Sequence, residues 1–302
     1  MKINNQRINR CIFASVSIHL QIQSAMTIGY HPETRHPEVY PQIQLLPVPE
    51  RVSAYVKTIW QLGKGSGSHH ERLFPTGETQ LIFHYGTPFS ESYAGMDAGT
   101  QPQSLICGQF TAYKDIFSFE RAGLLGVVFH PFASNALFGI PAHYFTHLTV
   151  GLSDIECKLG ETGRRVAEAP GLQERLKIIE DFIVRRLHTL NQRHFAMVRK
   201  SVELLSLNTH ESGISKVANE LFIGNRQFER LFKDYVGLSP ERYAGIVRFN
   251  KALSLFDSPL NLTEIALESG YYDQAHFIRD FRRITGGSPS VYRNNLALTP
   301  GR

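Results

Sequence analysis

The sequence predicts an α+β chain of two domains. The N-terminal domain is β-rich, built as a barrel or sandwich, and the C-terminal domain is all-α, with one helical unit occurring twice around a long connecting helix. Three observations predict this. From Val48 to about Phe129 the apolar residues come in short β-branched and aromatic runs split by Gly and Pro. From about Phe195 onward the only pattern is helical periodicity broken by turns. Within that second region, a stretch near residue 218 matches a stretch 48–49 residues later.

Composition sets the outer limits. The 302 residues are 42% apolar and 20% charged, enough for two ordinary cores, and too apolar for disorder or a coiled-coil rod. No run approaches the roughly 18 apolar residues of a membrane helix, so no membrane partner is expected. The three cysteines, Cys11, Cys107 and Cys157, are odd in number and far apart. They suit a reducing compartment, hence the cytoplasm, and neither a disulfide framework nor a four-thiolate zinc site. The net charge is +5, of which +3 falls in residues 196–302. That permits nucleic-acid binding without demanding it. Residues 1–40 read as a disordered extension. The apolar run Cys11–Val16 behind Lys2, Arg7 and Arg10 is too short and too interrupted for an export signal, and Met26 is a candidate start.

In chain order, strands are expected at Val52–Leu62, Gln80–Tyr85, Ser104–Phe110, Asp115–Phe119 and Leu124–His130. A flexible Gly63–Ser68 loop follows the first, with turns at Pro75-Thr76-Gly77 and Gly86-Thr87-Pro88. Pro131 can open a short helix, Phe132–Phe138, that Gly139 closes. Leu172, Leu176, Ile179, Ile183, Leu187 and Leu190 make one stripe on a helix over Leu172–Leu190. That stripe either covers its own β-domain or joins two copies of the chain. The first domain is set at residues 41–190 and the second at 195–297, with the boundary near Asn191–His194.

The repeat is the strongest signal. One unit reads Val217-Ala218, Phe228-Glu229-Arg230-Leu231-Phe232, Gly237, Ser239-Pro240 and Tyr243. The other reads Ile265-Ala266, Phe277-Ile278-Arg279-Asp280-Phe281, Gly286, Ser288-Pro289 and Tyr292. The offset grows from 48 to 49 between the two halves of each unit, so one residue is inserted in a turn. Each unit is a short helix, a tight turn and a longer helix: two helix-turn-helix elements in tandem. In the first long helix Phe228, Leu231, Phe232 and Tyr235 share one face, and Arg226, Glu229, Arg230 and Lys233 the other. In the second, Phe277, Phe281 and Ile284 point inward, while Gln274, Ala275, Arg279, Arg282 and Arg283 point outward. Arg and Gln on a wet helix face can read guanine and adenine edges in a major groove. Ser239-Pro240 starts the connecting helix, which Asp257-Ser258-Pro259 ends, giving a rod of roughly 28 Å. Asn261 with Glu264 forms a capping pattern ahead of the second unit.

Catalytic signals are thin. There is no Gly-x-Ser-x-Gly and no phosphate-binding loop, so no enzyme and no cofactor are expected. His69, His70, Glu71, His84 and His130 leave one rival reading, a cupin-like metalloenzyme with a helical appendage. Adjacent residues on a strand face opposite ways, so His69 and His70 make a poor ligand pair, and no metal is expected.

The matched Phe-x-Arg-x-Phe segments, with Gly270-Tyr271-Tyr272-Asp273-Gln274-Ala275-His276-Phe277 and the two Gly-x-Ser-Pro turns, resemble the C-terminal DNA-binding domain of the AraC/XylS transcription regulators over residues 214–293. The resemblance implies that the second helix of each unit enters the major groove of double-stranded DNA. Carried over by position, Arg226, Glu229 and Arg230 are base-edge candidates in the first unit, and Gln274, Ala275, His276 and Arg279 in the second. Ala275 replaces a longer polar residue of some members and offers only a methyl group. Glu229 needs a cytosine amine opposite it, or serves in a surface ion pair. Arg282, Arg283, Arg248 and Lys251 are expected at phosphates. The N-terminal half, through Leu73-Phe74-Pro75-Thr76-Gly77-Glu78 and Gly126-Val127-Val128-Phe129-His130-Pro131, resembles the sensing domain of an uncharacterised group over about residues 45–150, and names no ligand. The implied partners are DNA, a small-molecule effector, RNA polymerase and a second copy of the chain.

Overall fold

The computed structural model describes residues 43–65, 69–118, 121–187, 192–207 and 213–297. The proposed extension at 1–40 lies outside them, as do residues 66–68 of the expected loop and Leu190 of the expected stripe. Among the described residues, ten strands come first or are interleaved with the early helices: β1 (Ile43–Leu46), β2 (Val56–Gly65), β3 (His69–Leu73), β4 (Gln80–His84), β5 (Ser90–Tyr93), β6 (Met96–Thr100), β7 (Ser104–Cys107), β8 (Lys114–Ser118), β9 (Ala122–Phe129) and β10 (Thr149–Gly151). They form two antiparallel sheets, one ordered β1-β2-β9-β4-β7-β10 and one ordered β3-β8-β5-β6. Helices α1 (Ser134–Phe138), α2 (Leu152–Ile155), α3 (Cys157–Glu168) and α4 (Leu172–Arg186) follow the main β region.

The N-terminal half is therefore of the sandwich type. Leu62, Ile82, Leu105 and Leu124 of the larger sheet meet Ile116 of the smaller one in a shared core. The larger sheet's other face, with Leu81, Phe83, Ile106, Leu125 and Val127, is covered by Leu137, Leu159, Val166, Ile179 and Ile183 from the helices. Strand β9 is covered on both sides, and all eight of its residues are buried.

Several sequence expectations need correcting. Five short strands lie outside the expected ones: β3, β5, β6 and β10 carry few apolar residues, and the apolar β1 precedes the stretch read as β-rich. Pro131 does not open α1; the chain first makes a turn, with Ala133 N–H donating to the His130 carbonyl, and the helix starts at Ser134. Gly139 does close it, in the left-handed conformation at φ 63°. Gly63 to Gly65 extend β2 instead of starting a loop. The Leu172–Leu190 helix stops at Arg186, and its stripe is used by its own chain: Ile179 and Ile183 are fully buried, with Leu172, Leu176 and Leu187 packed on the same core.

The inter-sheet space also carries polar groups. Lys114 Nζ donates to Glu91 Oε2 (3.2 Å), Thr149 Oγ1 (2.8 Å) and Cys107 Sγ (3.5 Å). Gln101 Nε2 donates to Glu91 (2.7 Å), and His84 Nε2 donates to Gln101 Oε1 (3.0 Å). Glu71 lies in the same row, since Glu71 and Glu91 both pair with Ile116 across β8. The histidines are dispersed. His84 is buried here, His70 meets Asp115 on the opposite face of its sheet, and His130 stacks on Phe132. No group of three or more His, Cys, Asp or Glu among the described residues is placed to hold a metal. No described helix is long and apolar enough to cross a membrane.

Half-buried Glu71 and buried His84 give opposite pH dependences. Burial pushes the Glu71 carboxyl up from 4.5 to about 7. Burial pushes the His84 imidazole down from 6.5 to about 4, against the opposing pull of Gln101 and Glu91. The folded chain keeps a Glu71 proton that the unfolded chain releases, so that stability is complete below pH 4.5 and lost as pH rises through about 7. The folded chain excludes a proton from His84, so that stability is complete above pH 6.5 and lost as pH falls through about 4. Glu71→Gln is thus expected to exceed wild type by up to about 3 kcal/mol at about pH 8 and to match it in acid. Urea unfolding at the two pH values checks this; an equal shift at both would refute it.

Candidate nucleic-acid interface

The remaining helices are α5 (Gln192–Leu207), α6 (Gly213–Glu220), α7 (Asn225–Val236), α8 (Pro240–Ser254), α9 (Leu262–Glu268), α10 (Gln274–Thr285) and α11 (Pro289–Ala297). Helices α6 and α7 make the first unit, α9 and α10 the second, and α8 connects them. The tandem repeat of the sequence is also a repeat of backbone geometry. In each unit a buried alanine, Ala218 or Ala266, lets the short helix approach the long one. Its carbonyl accepts from the N–H five residues on: Ile223 to Ala218 at 3.1 Å, Tyr271 to Ala266 at 3.0 Å. The residue between, Phe222 or Gly270, is left-handed at φ 54° or 92°. The insertion that shifts the offset is Tyr272, which stands 86% exposed in the second turn.

The Gly-x-Ser-Pro segments are stop–start devices. Gly237 (φ 93°) ends α7 and Gly286 (φ 78°) ends α10, each N–H returning to a carbonyl four residues back. Ser239 Oγ then caps α8 by accepting from Arg242 N, with Pro240 in the first turn, where no amide donor is needed. Asn261 and Glu264 form a full capping box on α9, as the sequence predicts. Asp273 caps α10 by accepting from His276 N at 2.6 Å.

Packing sorts the faces of the long helices. On α7, Phe228, Leu231, Phe232 and Tyr235 are buried, and Arg226, Glu229, Arg230 and Lys233 are exposed. On α10, Phe277, Phe281 and Ile284 are fully buried. Ala275, Arg279 and Arg282 are exposed there, with Gln274 and His276 half-buried. Gln274 Oε1 accepts from Thr263 Oγ1 at 3.0 Å, which ties the start of α10 to α9. Among the described residues no salt bridge engages Arg226, Glu229, Arg230, Lys233, Arg279 or Arg282, whereas Arg164, Arg186 and Arg199 elsewhere are all paired. Glu229 makes no ion pair among the described residues.

Two expectations about phosphate contacts change. Arg248 is 4% exposed, its guanidinium lying 5.6 Å from the centre of the Tyr271 ring, so it serves the interior of the second unit. Its side chain is buried against the turn ahead of α10, which helical spacing alone does not reveal. Arg283 is exposed but turned back: it pairs with Asp280 (2.6 Å) and donates to the Thr111 carbonyl of the N-terminal half (3.4 Å). Lys251 is exposed as expected. The connecting helix is also shorter than its sequence suggests. It ends at Ser254, because Leu255 and Phe256 close a turn, and its 15 residues span about 22 Å.

A helix-turn-helix domain model matches residues 217–295, and a model of a domain of unknown function (DUF6597) matches residues 44–151. An uncharacterized HTH-type transcriptional regulator of Haemophilus influenzae is 32% identical over 98 residues, covering 32% of this chain and 33% of that protein. The HTH-type transcriptional regulator MtrA of Neisseria gonorrhoeae is 36% identical over 84 residues, 28% of each chain. The arabinose operon regulatory protein of Escherichia coli is 26% identical over 125 residues, 39% of this chain and 43% of that one. The chain spans about a third of the length of the first two relatives. The duplicated turn geometry and these matches lead to one assignment: residues 217–295 are an AraC-type helix-turn-helix domain, carried behind a domain of the DUF6597 family.

Proposed function

We propose that the chain is a one-component, sequence-specific, DNA-binding transcription regulator, acting in the cytoplasm and modulated by a small molecule. The observation that carries this reading is the pair of helix-turn-helix units, each exposing arginines on its long helix that form no salt bridge among the described residues. An arginine kept out of ion pairs leaves its fork of donors open to a guanine edge. In this reading residues 195–297 bind DNA, and residues 41–190 receive the effector and support assembly of two copies. RNA polymerase is the downstream partner. Base edges are read by Arg226, Glu229 and Arg230 in one unit and by Gln274, Ala275, His276 and Arg279 in the other. Lys233, Lys251 and Arg282 meet phosphates, and Arg283 joins them once released from Asp280.

The site is then asymmetric, read in two blocks about one DNA turn (~10 bp) apart, one block per unit. Selection from a randomised duplex pool tests this. Arg230→Ala is expected to relax base preference in one block and Arg279→Ala in the other, each at a cost of about 1–3 kcal/mol at its own position. Affinity should fall steeply with salt in all three proteins, because phosphate contacts release counterions. Relaxation of the same block by both substitutions, or of neither, would exclude the two-block reading.

A further inference from the structure

The segment Leu73-Phe74-Pro75-Thr76-Gly77, which marks the N-terminal domain in sequence, is embedded in the helical domain. Phe74 is 2% exposed and belongs to the core of the second unit, its ring 5.8 Å from Phe249 and 5.7 Å from Tyr292. The Pro75 carbonyl accepts from Asn250 Nδ2 of α8 at 3.1 Å. Gly77, left-handed at φ 79°, lies so close to α8 that a Cβ there would sit 2.9 Å from the Tyr243 ring. Gln109 Nε2 holds the Gly77 carbonyl at 2.7 Å. Beside this wedge, Arg72 grips Asp115 through two nitrogens (2.8 and 2.9 Å), stacks on Tyr113 at 3.9 Å, and donates to the Thr285 carbonyl at the end of α10 (3.3 Å).

The first unit is held by a different part of the same domain. Thr146 Oγ1 donates to the Gly237 carbonyl (2.7 Å), and Asn135 Nδ2 to the Asp234 carbonyl (3.4 Å). His143 lies 3.3 Å from the Asp234 carboxylate. The β-domain thus grips the C-terminal end of each long helix and, between them, the connecting helix. Three attachments to one rigid sandwich leave the two units no independent rotation.

From this we infer that the wedge at residues 72–77 is a spacing brace: Arg72, Phe74 and Asn250 are positioning residues that set which separation of the two DNA blocks the protein accepts. The inference rests on the two-block reading above. A helix of 15 residues joined to each unit by short turns could pivot at either end. The brace removes that freedom. One added base pair turns the second block by about a tenth of a helical turn, so a braced pair of units rejects it and a pivoting pair follows it.

The test uses the full chain and a duplex selected by it from a random pool, resynthesised with one or two base pairs added between the blocks. Wild type is expected to lose about tenfold in affinity per added base pair, equivalent to about 1.4 kcal/mol. Because Phe74→Ala can unfold the second unit, Arg72→Gln and Asn250→Ala are the working variants, neither touching DNA in this scheme. Each should bind the parent duplex within about threefold of wild type, and its penalty per added base pair should drop to about threefold or less. A uniform loss at every spacing, an unchanged steep profile, or a wild-type profile already flat would overturn the brace. A wild type that selects no two-block duplex would fail the DNA-binding reading itself, and the brace with it.

Discussion

Phe281→Ala is expected to destabilise the helical domain by about 3–5 kcal/mol, the largest loss any single truncation here should cause. Phe281 is fully buried, and four rings surround it: Phe256 at 5.4 Å, Phe249 at 5.6 Å, Phe277 at 5.7 Å and Tyr292 at 5.3 Å. These rings come from α8, α10 and α11 and the turn after α8, and no one of them can move into the void without leaving its other partners. Truncation therefore removes both the transferred apolar surface and the contacts lining the cavity. Phe281→Leu keeps most of the volume and should lose about 1–2 kcal/mol. Circular dichroism during urea unfolding measures both. In the selection experiment the alanine variant should lose preference in the second block before the first. A loss below about 1 kcal/mol for the alanine variant would mean the cluster relaxes, against the packing described.

Lys114→Met is expected to cost nearly as much, about 3–5 kcal/mol, for a different reason. Glu91 and Lys114 are 5% and 4% exposed and lie 3.2 Å apart between the sheets. Removing the ammonium leaves a buried carboxylate to which, among the described residues, Gln101 alone still donates. The stability of an ion pair relative to an apolar pair can be small, but the penalty for orphaning one member is not. Adding Glu91→Gln should recover most of the loss, since an amide needs no counter-charge. Urea unfolding of the single and double variants checks this. A deficit unrescued by the second substitution would point to lost packing of the lysine stem instead.

The features legible in the sequence are local ones. The capping box at Asn261, the left-handed Gly139, Gly237 and Gly286, Pro240 at a helix start and the burial of Phe228, Phe232, Phe277 and Phe281 all follow from backbone chemistry or helical period. Each depends on residues within a few positions of one another, and the duplication of the pattern made the helix-turn-helix assignment secure. Strands such as Gln80–His84 and Ala122–Phe129 were legible because runs of buried apolar residues mark them. Strands β5, β6 and β10 were not, because their polar or small residues are held by neighbouring strands more than by their own pattern.

What each surface meets depends on packing between elements far apart in the chain. Arg248 and Lys251 stand three residues apart on one helix, and nothing in their spacing says that the first is buried against Tyr271 and the second exposed. The Leu172 stripe reads identically whether it faces another copy or its own sheet, and the packing of Ile179 and Ile183 settles it for the sheet. The segment at 73–77 reads as a turn, yet its Phe74 completes a core 175 residues further along the chain, against Phe249. Period and capping are properties of one element, whereas burial belongs to a pair of elements. The partner in each of these pairs lies at a distance along the chain that no local pattern encodes.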